Sequence, residues 1–173
     1  MTEIGSGQSV VVFLHGFPEI WYSWRHQMIA LSNASYRAIA PDFRGYGLSD
    51  PPPEPEKASF ADLIIDLLAI LDVLSIPKVF LVAKDFGARP AYYFSLFYPE
   101  RVSGIITMGA LFFPPGSVTF GSIDEEFKLP NTIVACPALL IVGEKDYAFK
   151  FPGNEDYIRS GTHFVQEQFP DQR

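Results

Sequence analysis

The chain has 173 residues, with 13 Lys and Arg against 20 Asp and Glu, for a formal net charge of −7. Hydrophobic residues make up 48 % and aromatics 15 %, a composition that supports a packed core and argues against disorder. The length fits a single domain, 1–173. The acidic balance disfavours nucleic acid or anionic lipid as a partner, because both are held by clustered Lys and Arg. A lone cysteine, Cys136, has no internal disulfide partner, so a reducing, cytoplasmic compartment is expected. Met1 to Ser9 is polar and Gly-rich, unlike a secretory signal. No apolar run approaches the roughly 18 residues of a membrane span, and Leu63 to Leu71 is interrupted by Asp66.

In chain order, Val10-Val11-Val12-Phe13-Leu14 is a short continuous apolar run of the kind found in a strand buried on both faces. It stops at His15-Gly16-Phe17-Pro18, a turn signal. Trp21 to Leu31 follows, with an apolar stripe at Trp21, Trp24, Met28 and Leu31, and Arg37 to Ala40 reads as a second strand. Asp42 to Asp50 is a loop, continued by the stiff segment Pro51-Pro52-Pro53-Glu54-Pro55. The Pro52-x-x-Pro55 spacing also fits a ligand for a small recognition domain, although Pro-rich surface loops share it. The clearest helix has Phe60, Leu63, Ile64, Leu67, Leu68, Leu71 and Leu74 at spacings of three and four, with Ser59 as its N-cap. Further strands are predicted at Lys78 to Ala83, Val102 to Met108 and Ala138 to Val142, and a helix from Gly87 to Tyr98, ended by Pro99. Strand and helix alternate, which implies an α/β fold with a parallel sheet covered on both faces. The strand of 78–83 is expected to be central and to lie beside that of 9–14.

In such a sheet the chemistry gathers where strands end at the carboxyl edge. Those ends carry His15-Gly16-Phe17-Pro18, then Asp42-x-Arg44-Gly45-Tyr46-Gly47-x-Ser49-Asp50, Ala83-Lys84-Asp85-Phe86-Gly87 and Gly143-Glu144-Lys145-Asp146; Gly161-Thr162-His163-Phe164 follows later. The third sets an acidic residue between strand and helix with small residues two before and two after it. This is the general form of a nucleophile elbow, whose sharp turn tolerates only small neighbours. The following helix N-terminus stabilises negative charge there, and a carboxylate so placed attacks an electrophilic carbon to give an ester. Taken alone, Asp85 reads more readily as an N-cap for the helix at Gly87, because Asp is a favoured cap.

Taken together the motifs are more specific. His15-Gly16-Phe17-Pro18-Glu19 with Trp21-Tyr22-Ser23-Trp24-Arg25, Pro41-Asp42-Phe43-Arg44-Gly45-Tyr46-Gly47, Asp85-Phe86-Gly87-Ala88, Tyr98-Pro99-Glu100-Arg101-Val102, Gly143-Glu144-Lys145-Asp146 and His163-Phe164-Val165-Gln166-Glu167 occur in this order. In these the chain resembles the α/β-hydrolases of the soluble epoxide hydrolase type, close to the plant enzymes, over about residues 5–112 and 136–170. The resemblance implies a three-layer α/β sandwich with a mostly parallel sheet, no metal, no cofactor, and a small apolar epoxide as substrate. It implies that Asp85 is the nucleophile and that His163 activates water on the ester. Asp146 would orient His163, and the backbone N–H groups of Phe17 and Phe86 would form the oxyanion hole. Trp21, Phe17 and Phe86 would line the substrate pocket, and the Phe17–Pro18 peptide would be cis. His15 and His26 read as structural, and Asp42 with Arg44 as a loop-fixing pair.

Three departures from the family pattern stand out. Lys84 occupies the position before the nucleophile where the family usually has His. Its charge would either favour ionised Asp85 or point away from it. Residues 113–135 are too few for the helical cap that carries the family's proton-donating tyrosines. Only residues 147–162 separate Asp146 from His163, too few for both a helix and the strand that delivers the histidine. Met1 to Gly7 also leaves no room for the family's opening strands, and the C-terminal helix is missing after Asp171. The chain therefore reads as a shortened form with impaired epoxide-opening activity and apolar surface exposed for self-association. Dehalogenation is a minor alternative for an Asp nucleophile, and a non-catalytic remnant that binds a small ligand or nothing is the other class. No Ser occupies the elbow, which disfavours an ordinary esterase.

Overall fold

In a computed structural model, residues 1–109 and 133–143 are described. The chain divides into two units, Met1–Ile141 and Val142–Arg173, and the sheet belongs to the first. Its strands are β1 (Thr2–Ile4), β2 (Val10–Leu14), β3 (Arg37–Ala40), β4 (Val79–Lys84), β5 (Val102–Met108) and β6 (Ala138–Ile141). The spatial order is β1-β3-β2-β4-β5-β6. All neighbours from β3 to β6 pair in parallel, and β4 lies between β2 and β5, as the alternating pattern requires.

β1 is a strand that the polar, Gly-rich stretch Met1 to Ser9 does not announce. Three residues suffice because they pair antiparallel to the edge of β3, Thr2 opposite Ala40 and Ile4 opposite Ala38. A bidentate ion pair from Arg37 to Glu3, with Nε–Oε1 at 2.7 Å, ties the two strands.

The continuous apolar character of β2 has a direct cause. Val10, Val12 and Leu14 face one core cluster, and Val11 and Phe13 face the other. The first cluster is built on α2 (Phe60–Val73) and α3 (Ala88–Phe97), the second on Trp24 and Met28 at α1 (Arg25–Asn33). α2 begins at the predicted cap, where the Ser59 amide donates to Asp62 Oδ2 at 2.8 Å. Its stripe of Leu63, Ile64, Leu67 and Leu71 is buried, while Ile65 and Val73 face outward. The predicted helix over Trp21 to Leu31 is split: Trp21–Trp24 form a 3-10 turn and α1 begins at Arg25.

Candidate active site

The carboxyl ends of β2 and β4 are neighbours, with Leu14 paired to Ala83. This register brings the turn after β2 against the turn after β4. The first turn spans Gly16 to Glu19, closed by a hydrogen bond from the Glu19 amide to the Gly16 carbonyl at 3.1 Å. Its Phe17–Pro18 peptide is cis, as expected, which makes it a type VI turn. In the second turn the chain passes from β4 through a 3-10 segment, Asp85–Gly87, into α3. Asp85 itself has φ 49°, in the left-handed region that a non-Gly residue rarely adopts.

Two glycines permit this approach. A Cβ on Gly87 would sit 2.5 Å from the carbonyl oxygens of both Leu14 and His15. A Cβ on Gly16 would sit 2.8 Å from Asp85 Cβ and 2.9 Å from its Oδ1. The outcome is a direct bond between the turns: the Phe17 amide donates to Asp85 Oδ1 at 2.8 Å. The donor is a fixed backbone dipole and the acceptor an exposed carboxylate, an arrangement that stabilises negative charge on oxygen at this point.

His15 holds the turn from beneath and is fully buried. Its Nδ1–H donates to the Gly16 carbonyl at 2.9 Å, and its Nε2 accepts the Phe43 amide at 3.0 Å. Both nitrogens are thereby engaged, in the neutral tautomer, and the ring packs against Phe43 and Tyr46. Burial pushes the imidazole below its ordinary 6.5. His15 is structural, as the sequence suggests, and His26 is exposed on α1.

The expected Asp42–Arg44 pair is corrected. Asp42 Oδ1 accepts the Trp21 amide at 2.7 Å. Arg44 reaches α2 instead, with a bidentate pair to Asp66 (2.6 and 2.8 Å) and a contact to Asp62 at 3.1 Å. The planar fork of a guanidinium fits two carboxylates one helical turn apart better than a side chain two residues away in its own loop.

Lys84 pairs with Glu19. Its Nζ lies 2.9 Å from Glu19 Oε1 and 5.0 Å from the Trp24 ring centroid. Glu19 Oε2 in turn accepts the Gly16 amide at 3.2 Å. Burial raises the Glu19 carboxyl, but the bonds from Lys84 and Gly16 outweigh it and hold the group below the usual range. The sequence offered Glu19 only as part of a motif; its position one residue past a cis proline, opposite a lysine at a strand end, was the available signal.

Of the expected pocket residues, Phe17 is exposed and meets Tyr46 edge-on. Phe86 packs on Phe60 and Phe43, and Trp21 belongs to the cluster around Trp24. A cavity of about 600 Å³ lies to one side, between the 49–53 loop and α2, over Leu14, Phe43 and Leu67, and Asp85 does not line it. Asp146, His163 and residues 113–132 lie outside the described residues. Among the described residues no helix is long and apolar enough to cross a membrane.

Comparison with known proteins bears on this geometry. Residues 9–129 match the family model described as alpha/beta hydrolase fold. The chain belongs to the α/β hydrolase fold family. Among curated relatives, an epoxide hydrolase 2 of Siraitia grosvenorii is 51 % identical over 112 residues, which is 65 % of this chain and 35 % of that protein. An epoxide hydrolase 3 of the same plant is 49 % identical over 114 residues, 66 % of this chain and 36 % of that one. Among solved structures, an epoxide hydrolase of Vigna radiata superposes with a TM-score of 0.63 at 47 % identity, covering 65 % of this chain and 36 % of that one. The chain thus spans about a third of the length of the relatives it matches.

Two outcomes follow for this hydrolase fold. Gly87→Ala forces a methyl group onto two main-chain oxygens and should unfold or strongly destabilise the protein. Gly16→Ala sets its methyl group against Asp85 Cβ and Oδ1 rather than against main-chain oxygens, so it should displace the carboxylate and cost clearly less stability than Gly87→Ala. Urea denaturation of the two variants checks this, and equal loss of stability in both would contradict it. The second outcome concerns pH. The unfolded chain accepts a proton on His15 that the folded chain resists, so the stability owed to the neutral ring is complete above about pH 6.5 and is lost as pH falls below it. The urea midpoint should therefore fall more steeply from about pH 7.5 to about pH 5.5 in the parent than in His15→Gln. Parallel pH profiles would show that His15 is not buried neutral.

Proposed function

We propose that this chain carries the nucleophile half of an epoxide hydrolase and opens small apolar epoxides through an ester on Asp85. The observation that carries the reading is the bond from the Phe17 amide to a carboxylate at positive φ between strand and helix. The similarity to proteins named epoxide hydrolases, over the segment that holds both turns, supports the substrate class. In the reaction an Asp85 oxygen attacks an epoxide carbon, the carbon–oxygen bond of the ring breaks, and the alkoxide takes a proton from a donor. Water, deprotonated by His163 with Asp146 orienting it, then attacks the ester carbonyl. The oxyanion so formed is held by the amides of Phe17 and Phe86; its collapse breaks the ester bond, the leaving alkoxide takes the proton back from His163 to give the diol, and Asp85 is restored.

Turnover by this chain is proposed to be poor. A positioned general acid is worth about 10²–10⁴ in rate, and residues 113–135 are too few to supply the helical cap that would carry it. The interval 147–162 is likewise short for delivering His163, so the ester should outlast its formation. Incubated with a styrene-oxide-type substrate, the chain should take up at most one equivalent by intact-protein mass spectrometry, and Asp85→Asn should take up none. Sustained multiple turnover that His163→Gln abolishes would contradict the impaired reading. Undiminished adduct in Asp85→Asn would refute the nucleophile.

Self-association through apolar surface is part of the same proposal. Phe80, Leu139 and Ile141 are 38 %, 51 % and 48 % exposed. The register places Leu139 and Ile141 beside Ile106 and Met108 on the sheet face that Phe80 shares. Sedimentation velocity should show association that Leu139→Lys weakens; a monomer at all concentrations would contradict it. A cytoplasmic setting fits the lone Cys136.

A further inference from the structure

The departure at Lys84 has a partner in space. Its ammonium lies 2.9 Å from Glu19 Oε1, while Glu19 Oε2 accepts the Gly16 amide. Gly16 immediately precedes Phe17, whose amide is bonded to Asp85, and Asp85 immediately follows Lys84. The contacts therefore close a ring: from Asp85 through the Phe17 amide into the turn, from the turn through Glu19 to Lys84, and from Lys84 along one peptide back to Asp85.

We propose that Lys84 and Glu19 are positioning residues, an ionic clamp that fixes the distance between the Phe17 amide and the Asp85 carboxylate. Neither residue touches the reacting atoms. Two observations set the clamp's geometry. The lysine is steadied on its other side by the Trp24 ring, which is buried against Phe13. Glu19 is fixed at its backbone too, since its amide closes the turn on Gly16. An ion pair left about 30 % exposed, as this one is, adds little to stability, so its consequence is geometric. A turn held at Gly16 only by its own closing bond and by His15 leaves the direction of the Phe17 N–H free to drift relative to β4. A misplacement on the scale of an ångström costs about a hundredfold in a positioned reaction.

The inference rests on the Asp85 reading, and its test separates the two. In the full chain, the Phe17 amide proton, assigned by NMR, reports the hydrogen bond without any epoxide. Lys84→Met and Glu19→Gln should each move that proton upfield, and Lys84→Arg, which restores a cation for Glu19, should return it. With a styrene-oxide-type epoxide, Lys84→Met and Glu19→Gln should each slow adduct formation about ten- to a hundredfold. The double variant should be no slower than either single one, and Lys84→Arg should recover most of the rate, with melting temperatures nearly unchanged. Glu19→Gln keeps an acceptor for the Gly16 amide and carries the test should Lys84→Met fail to fold. An unmoved Phe17 proton in the folded variants, or independent effects that multiply in the double variant, would overturn the clamp. Failure of the parent to form any adduct would overturn the Asp85 reading alone and leave the clamp to the NMR result.

Discussion

The hydrogen bond from the Phe17 amide to Asp85 is the contact around which the described part of this molecule is arranged. It exists because two strand ends are held side by side, and because each carries a turn that an ordinary sequence does not make. Asp85 occupies a left-handed conformation, which costs a non-Gly residue on the order of 1–3 kcal/mol. The surrounding structure overdetermines it: Gly87 lets α3 start against the Leu14 and His15 carbonyls, Gly16 leaves room for the carboxylate, and His15 pins the opposite turn to the loop after β3. Strain of this kind, kept beside an exposed carboxylate and a converging N–H, points from geometry to chemistry rather than to stability.

The core serves that arrangement. β2 is buried on both faces and Val79, Leu81 and Ala83 of β4 lie in the α2–α3 core, so their register does not slip, and a slip of one residue would send Asp85 to the wrong face. Arg44 and Asp42, which the loop motif brings close in sequence, act separately: one fastens the loop to α2, the other fastens it to the turn before α1. Together with His15 they make the loop after β3 a brace for the turn after β2. Asp146 and His163, which are proposed to complete the cycle, follow this platform in the sequence.

Much of this was legible in the sequence. The apolar runs of β2 and β4, the three-and-four spacing of α2 and its Ser59 cap, and the small residues flanking Asp85 each report a local physical requirement, and all agree with the sheet order. The cis peptide at Pro18 was expected from the resemblance. Tertiary pairings were harder to read. β1 is only three residues long and is stabilised by its neighbour rather than by its own composition, so a polar, Gly-rich N-terminus hid it. Arg44 finds Asp62 and Asp66 because α2 presents them one turn apart, which local loop sequence does not reveal. The direction of Lys84 was open because a strand end fixes which face a side chain leaves from but not its partner; Glu19, 65 residues earlier in the chain, decides it.

The central claim is that the strained turn presents Asp85, and no other carboxylate of the chain, as a nucleophile held by the Phe17 amide. Proteolytic peptide mapping by mass spectrometry after brief exposure to a styrene-oxide-type epoxide tests it most directly, since Asp85 is one of 20 Asp and Glu residues that could take the label. The account predicts that the mass addition falls on Asp85 and is lost when the protein is unfolded in urea before exposure. Label spread over exposed carboxylates, or equal labelling of the unfolded chain, would contradict it.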